Sequence, residues 1–160
     1  MIRRMRLFRF NGRNQAAIRR VLYPSHVQEG FNVRQLKKGR PEIVNRILVV
    51  EDDRFCQSLW LLDAKKLGLT VECFVPKNTE SLWEKVRQYA PQLIIMDNNL
   101  GWEVATGTFL TRFLREKGWG GFIVAYSADG NHNRRMLEFG ADIASPKDIP
   151  LVILERLLVL

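Results

Sequence analysis

The stretch that decides the fold reads RILVVEDD, from Arg46 to Asp53. Its four successive apolar residues are typical of a strand that is buried on both faces of a sheet. Three carboxylates follow at once, where the strand must end. A second stretch, LIIMD from Leu93 to Asp97, repeats this plan with a single acid. Two buried parallel strands that end side by side would bring Glu51, Asp52 and Asp97 to one edge of a sheet, where ligands of such sheets bind.

The acids at this predicted edge also indicate what binds there. Carboxylates that lie close together repel and raise each other's pKa unless a cation joins them. Carboxylate oxygens are hard ligands of the kind that Mg²⁺ prefers. The sequence therefore predicts a magnesium site at the carboxyl ends of the strands.

From residue 46 onward, strand patterns alternate with helix patterns. The predicted strands are 47–50, 71–75, 93–96, 121–126 and 141–144. The predicted helices are 55–67, 78–89, 104–114, 149–160 and a short one with its core at 134–139. Asp53 and either Asn78 or Thr79 are suited to cap the first two helices, and Gly68 to end the first. Five β/α units predict an α/β fold with a five-stranded parallel sheet, doubly wound in the flavodoxin-like manner.

The positive charge of the chain is concentrated in its first segment. Residues 1–46 hold 12 of the 25 Lys and Arg but only 2 of the 17 acids, which leaves 13 basic and 15 acidic residues for the rest. This shift predicts a boundary near 41–45, with a basic N-terminal extension over 1–45 and a domain over 46–160. The extension has three interpretations: a loosely ordered segment with short helices, an arm for nucleic acid or another polyanion, or a targeting peptide.

Cysteine spacing argues against a cysteine-ligated metal site, and hydropathy argues against a membrane-spanning helix. Cys56 and Cys73 lack the spacing of metal ligands, and we interpret them as free thiols in a reducing cytosol. No apolar run reaches the roughly 18 residues that a membrane-spanning helix needs. The sequence therefore predicts a cytoplasmic protein.

The predicted last helix, 149–160, is apolar almost all round, with Glu155 and Arg156 as its charges. A helix packed on a sheet needs only one apolar stripe. The apolar residues outside that stripe predict contact with a partner protein or with a second copy of the chain, which would form a homodimer. The alternatives are cover by the basic extension, or a chain that stops early and frays.

Residues 46–147 resemble the receiver domain of response regulators in two-component signalling. Four motifs carry the resemblance, in the order that is usual in that family: Ile47–Asp53 as the acidic-pair strand, Leu93–Asp97 as the phosphoacceptor strand, Phe122–Ala128 as the strand that ends in a hydroxyl residue, and Gly140–Asp142 followed by Lys147. Each motif is weak alone, and the four together are specific. The resemblance implies a stand-alone receiver that takes a phosphoryl group from a histidine kinase or a phosphotransfer protein.

The same resemblance implies a role for each site residue. Asp97 would be the phosphoacceptor, Asp52 would bind Mg²⁺ directly, and Glu51 would do so through water. The backbone carbonyl of Asn99 would complete the metal ligands. A phosphoryl oxygen would accept from Ser127, and another would pair with Lys147.

This chain departs from the usual receiver pattern around these residues. Asp148 follows the lysine where proline is common, with Pro146 before it, and Ala144 replaces a common aromatic. Gly101 stands where proline is common in the acceptor loop, and Gly107 comes about two residues late, which predicts a longer loop. These departures do not change the residues that are predicted to bind the metal and the phosphoryl group. They change residues that would transmit the conformational change after phosphorylation.

Two alternatives to a phosphoacceptor remain. One is a pseudo-receiver, a protein-binding module that acts without phosphorylation. The other is a Mg²⁺-dependent enzyme of the Toprim kind, although Asn99 replaces the second acid that such a site needs. For the receiver we expect no enzymatic activity beyond its own phosphorylation and dephosphorylation, and nucleic-acid contact only through the basic arm.

Overall fold

The structure is a computed structural model that describes residues 46–101 and 106–159, with side chains as far as Glu155 in the last helix. The predictions for the basic extension 1–45 and for Val104 lie outside the described residues. Within the described ranges, no helix combines the length and the apolar character needed to span a membrane.

Strands and helices alternate throughout the described chain. The strands are β1 (Arg46–Val50), β2 (Thr70–Phe74), β3 (Leu93–Asp97), β4 (Phe122–Tyr126) and β5 (Ile143–Ser145). The helices are α1 (Arg54–Lys66), α2 (Thr79–Tyr89), α3 (Gly107–Glu116), α4 (Gly130–Glu138) and α5 (Pro150–Val159). All strand pairs are parallel, in the order β2-β1-β3-β4-β5. The predicted five-stranded parallel sheet is confirmed.

The two central strands are buried on both faces, as their unbroken apolar runs predict. Alternate residues of β1 and β3 enter two separate cores, because successive side chains of a strand point to opposite faces. Leu48 and Ile94 pack in the core that includes residues of α2, α3 and α4, whereas Val49 and Ile95 pack in the core that includes residues of α1 and α5. Burying each such large side chain contributes roughly 1.5–3 kcal/mol.

Helix caps at the predicted positions fix where the first helices begin and end. Asp53 accepts a hydrogen bond from the backbone N–H of Cys56 at 2.8 Å, and Asn78 forms a reciprocal capping box with Ser81. Gly68 has φ of +68°, a left-handed conformation that ends the chain's helical path after α1.

Several elements differ in detail from the sequence patterns, among them β2, which covers Thr70–Phe74 rather than 71–75, and β4, which begins at Phe122 rather than at 121. Phe55 of α1 is 71% exposed although its spacing correctly indicated a helix, and Trp60 is the residue that α1 buries completely. Helix α4 begins at Gly130, upstream of its predicted core, because Asp129 caps it through the backbone N–H of Asn131. Strand β5 begins at Ile143 rather than at 141, since Ala141 precedes the pairing with β4 and packs in the core.

Helix α5 packs on α1 with part of its apolar surface. Ile153 and Leu154 are buried in the core shared with Trp60. The buried carboxylate of Asp63 accepts a hydrogen bond from the backbone N–H of Leu151 at 3.2 Å, which ties the start of α5 to α1. Contact of the remaining apolar residues with a partner stays a prediction.

Candidate functional site

The ends of β1 and β3 bring three acids together, as predicted. The register pairs Val50 with Met96, so the acids that follow these residues emerge at the same edge of the sheet. One carboxylate oxygen each from Glu51, Asp52 and Asp97 lies within 4.8 Å of the others. Glu51 is 0% exposed and Asp97 is 1% exposed. Two of the three carboxylates are therefore withdrawn from water.

Lys147 reaches the acids from the loop between β5 and α5. Its ammonium donates to Asp97 Oδ2 at 2.8 Å and to Glu51 Oε2 at 3.1 Å. One ammonium faces three carboxylates, so the fully ionised cluster carries an excess of two negative charges. A divalent cation would cancel that excess.

The electrostatics of the cluster follow from its burial. Burial raises the pKa of Glu51, the charge of Asp97 raises it further, and the hydrogen bond from Lys147 only partly offsets both. For Lys147, burial acts to lower the pKa, but the hydrogen bonds to Asp97 and Glu51 outweigh it, and the pKa is raised overall. Lys147 is therefore a permanent cation at neutral pH.

The loop after β3 is anchored beside the acids. The backbone N–H of Asn99 donates to Asp97 Oδ1 at 3.3 Å. The side-chain carbonyl of Asn98 accepts from the backbone N–H of Thr108 at 3.0 Å and from its hydroxyl at 2.7 Å. These bonds join the end of β3 to the first turn of α3. They therefore fix the backbone directly after Asp97.

Two glycines allow this loop to approach the acids closely. A Cβ at Gly107 would collide with the backbone carbonyl of Asp97, so only glycine fits where α3 begins. Gly101 has φ of +66°, and a Cβ there would lie 2.8 Å from Asp52 Oδ2. The late position of Gly107 in the sequence predicted a longer loop. Its close packing on β3 explains on steric grounds why a glycine is needed at that position. Residues 102–105 of the loop lie outside the described ranges.

Ser127 lies at the same edge of the sheet, directly after β4. The register pairs Asp97 with Tyr126, so Ser127 is one residue beyond the acid's partner. Ser127 is 5% exposed, and its hydroxyl accepts from the backbone N–H of Asp129 at 3.2 Å. Its hydroxyl is thus engaged with its own loop rather than with the acids.

Other side chains that position the site were not identified from the sequence. Gln57 donates to the backbone carbonyl of Glu51 at 2.6 Å. The buried amide of Asn133 donates to the carbonyls of Ser127 and Ser145, each at 3.0 Å. These residues act on backbone carbonyls, which leave no mark in a residue pattern.

The donor set fits the predicted metal. All three groups are carboxylates, and the cluster includes no histidine or cysteine ligand among the described residues. Such an oxygen-only set suits a hard divalent cation such as Mg²⁺ and not the softer transition metals. Glu51, Asp52 and Asp97 are the side chains that would hold it.

A parallel sheet with an acid cluster and a lysine at the carboxyl ends of its strands is the arrangement that the resemblance to receiver domains implies. The described chain is similar to the BeF3-activated N-terminal receiver domain of Klebsiella pneumoniae RstA, with 29% identity over 72% of this chain and 97% of that one, at a TM-score of 0.57. It is similar to the receiver domain of TorR, the response regulator of the TMAO respiratory system, with 28% identity, coverage of 72% and 97%, and a TM-score of 0.59.

A CheY-like receiver domain from Methanospirillum hungatei shares the fold at 21% identity, with coverage of 73% and 93% and a TM-score of 0.62. No protein-family model and no curated protein matches the chain. The solved structures confirm the predicted resemblance to response-regulator receiver domains and the predicted fold, a five-stranded parallel sheet with flanking helices.

Proposed function

We propose that this chain is the phosphoacceptor of a two-component system or phosphorelay, and that Asp97 takes a phosphoryl group from a histidine kinase or a phosphotransfer protein. The observation that carries the proposal is the convergence of Glu51, Asp52 and Asp97 with the ammonium of Lys147 at one edge of the sheet. The proposal describes a signalling protein that undergoes its own phosphorylation and dephosphorylation, not an enzyme for other substrates. It also implies a cytoplasmic location.

The chemistry is an in-line displacement at phosphorus. A carboxylate oxygen of Asp97 forms a bond to phosphorus while the bond from phosphorus to the donor's histidine nitrogen breaks, and the electron pair of that bond leaves with the imidazole. Lys147, 2.8 Å from Asp97, supplies positive charge for a phosphoryl oxygen. Bound Mg²⁺ would neutralise further phosphoryl charge, held by Glu51, Asp52, Asp97 and, as the resemblance implies, the carbonyl of Asn99.

The surroundings of Asp97 support a nucleophile that is already oriented. Its Oδ1 accepts from the backbone N–H of Asn99 and its Oδ2 accepts from Lys147. Because the residue is 1% exposed, little water competes for its oxygens. Preorganisation of this kind lowers the barrier, since the groups need not be arranged during the reaction.

The rim of the site supports a protein as the donor. Phe55, two residues after Asp53, is 71% exposed, and Ile149, two residues after Lys147, is 64% exposed. Large apolar side chains in water beside a polar site are typical of a surface that a protein partner covers. We infer that the kinase or phosphotransfer protein contacts this rim.

Signalling would follow from a change at Ser127. A phosphoryl group on Asp97 offers a strong acceptor to the O–H of Ser127, whose oxygen accepts from the backbone N–H of Asp129. Movement of Ser127 would reach α4 through Asn133, which bonds the Ser127 carbonyl. The output would be protein contact, with the last helix as one surface for a partner or a second copy.

Two observations favour the pseudo-receiver as a second candidate. Lys147 bridges Asp97 and Glu51 directly, so the acids are partly neutralised without any phosphoryl group. Ala144 on β5 also lacks the aromatic ring that the resemblance would lead one to expect for relaying the switch. In this candidate the fold binds partners in one constant state.

Incubation with acetyl phosphate and Mg²⁺ separates the two candidates. Mass spectrometry of the intact protein should show one added phosphoryl group on the wild type, stable in acid and labile in base. Asp97→Asn should show none. Asp53→Asn is the matched control, because asparagine at this helix N-cap still accepts from Cys56 and the label should remain. A folded wild type without any label would support the pseudo-receiver and reject the proposal.

A further inference from the structure

The loop that carries Lys147 has a side-chain anchor in the neighbouring strand. The phenol of Tyr126, the last residue of β4, donates to the backbone carbonyl of Asp148 at 3.1 Å. Asp148 is the next residue after Lys147, so this bond fixes the Asp148–Ile149 peptide, one peptide beyond the lysine, and limits how far the backbone at Lys147 can move. Within the loop, the N–H of Asp148 also donates to the carbonyl of Pro146 at 2.7 Å, which folds the chain tightly around Lys147.

The ring of Tyr126 lies beneath the lysine. The ammonium of Lys147 is 5.5 Å from the ring centroid. An aromatic face at this distance attracts a cation. The same residue therefore contacts the Lys147 segment twice, at the backbone through its hydroxyl and at the ammonium through its ring.

Tyr126 is itself held rigidly. It is 3% exposed, and Trp60 of α1 packs against it edge to face, with centroids 5.4 Å apart and an interplanar angle of 77°. Burial is the main cause that raises the pKa of Tyr126 to about 12, and the nearby Cys56 adds to the effect. The phenol is therefore protonated, and a donor, throughout the neutral range.

We propose that Tyr126 is a positioning residue for Lys147, which holds the lysine in reach of Asp97 by bonding the Asp148 carbonyl and supporting the ammonium on its ring. The role in phosphoryl transfer rests on the proposed function. The positioning does not, since Lys147 contacts Asp97 and Glu51 in the structure as it stands. The acids alone do not set this geometry, because they fix only the far end of a long, flexible side chain.

The experiment removes the hydroxyl and keeps the ring. Tyr126→Phe should slow acetyl phosphate labelling of Asp97 about fivefold, the effect of losing roughly one hydrogen bond to a carbonyl. Tyr89→Phe is the matched control, because its hydroxyl contacts the carbonyls of Ile47 and Thr70 at the opposite edge of the sheet. The control should label at the wild-type rate.

A double substitution shows whether Tyr126 acts through the lysine. Lys147→Met removes the cation, and in that background Tyr126→Phe should cause no further loss of rate. A residue that merely stabilises the fold would slow both backgrounds by the same factor. Equal factors, or a wild-type rate for Tyr126→Phe alone, would overturn the proposal.

A second measurement needs no phosphorylation. The ¹⁵N resonance of the Lys147 ammonium, assigned by its loss in Lys147→Met, should be sharp in the wild type and in Tyr89→Phe because the ion pair slows exchange with water. In Tyr126→Phe it should broaden. If the wild type takes no phosphoryl group, the proposed function fails, and this resonance alone decides the positioning: broadening supports it and an unchanged signal overturns it.

Discussion

The Lys147 ammonium donates to Asp97 Oδ2 at 2.8 Å and thereby joins two residues that are 50 positions apart in the chain. This bond accounts for one of the negative charges at the site and leaves the cluster of Glu51, Asp52 and Asp97 under-neutralised. A partly neutralised, buried cluster destabilises the fold that builds it, and it becomes favourable when a cation arrives. This imbalance makes the stability of the fold depend on pH and on Mg²⁺.

Glu51→Gln should stabilise the metal-free protein by about 1 kcal/mol at neutral pH, the usual scale of a single substitution. Because folding raises the pKa of Glu51 above 4.5, the folded state holds its proton more tightly than the unfolded state does. The contribution of Glu51 to stability is therefore present at low pH and is lost as the pH rises through the folded-state pKa. The advantage of Glu51→Gln should grow over the same interval, as measured by urea unfolding with chelator at several pH values.

Glu72→Gln is the matched control for that experiment. Glu72 lies on β2, its side chain is 40% exposed, and it pairs with Lys85. Removing this partly solvated charge should give no stabilisation that grows with pH. A constant difference between Glu51→Gln and the wild type across the pH series would contradict the assignment of strain to the buried cluster.

Mg²⁺ should stabilise the protein because it binds only the assembled acids. At a concentration ten times the dissociation constant, the free energy of unfolding should rise by about 1.4 kcal/mol. Asp52→Asn should reduce the gain, whereas Asp53→Asn should keep it. Thermal unfolding in MgCl₂ and in NaCl of equal ionic strength measures both. An equal gain for the two variants would place the cation elsewhere.

Gly101→Ala should weaken Mg²⁺ binding and lower stability. The left-handed φ of +66° costs an alanine about 1 kcal/mol, and the new methyl group would press on Asp52 Oδ2. Gly118→Ala separates the two effects, because Gly118 has φ of +80° with open space around its Cβ position. Both variants should lose similar stability in urea without metal, and only Gly101→Ala should also need more Mg²⁺ for half-maximal stabilisation.

The fold was predictable because its central strands are apolar without interruption. In β1 and β3 the strand signal does not compete with a helix pattern, and the apolar run of each strand is followed directly by an acid. The caps at Asp53 and Asn78 were predictable from local sequence, because a capping side chain bonds the backbone N–H only three residues later.

The rest depends on contacts between distant residues. Helical spacing identified α1 but not its buried side, because both Phe55 and Trp60 are aromatic and only the sheet decides which one it covers. The convergence of Lys147 on the acids was expected from the family resemblance, not from its own neighbours in sequence. Tyr126 had no such precedent, since a strand tyrosine that bonds a loop carbonyl has the same pattern as any core aromatic.

The exposed rim should distinguish a protein donor from a small one. Phe55→Ala should leave stability and acetyl phosphate labelling unchanged, because the side chain is 71% exposed and contributes no group to the chemistry. Transfer from a histidine kinase that phosphorylates the wild type should slow about tenfold, the loss expected for one apolar anchor at an interface. Ile149→Ala, beside the lysine loop, should act in the same direction.

Phe139→Ala is the matched control for the rim, since Phe139 is 39% exposed at the end of α4, where the chain turns toward the start of β5 and away from the acids. The measurement is the rate of phosphoryl transfer from the radiolabelled kinase, compared with labelling by acetyl phosphate for the same variants. A rate that falls equally with both donors would mean that Phe55 supports the site itself. A rate that falls for Phe139→Ala but not for Phe55→Ala would move the docking surface to α4, and the proposed contact at the rim would be wrong.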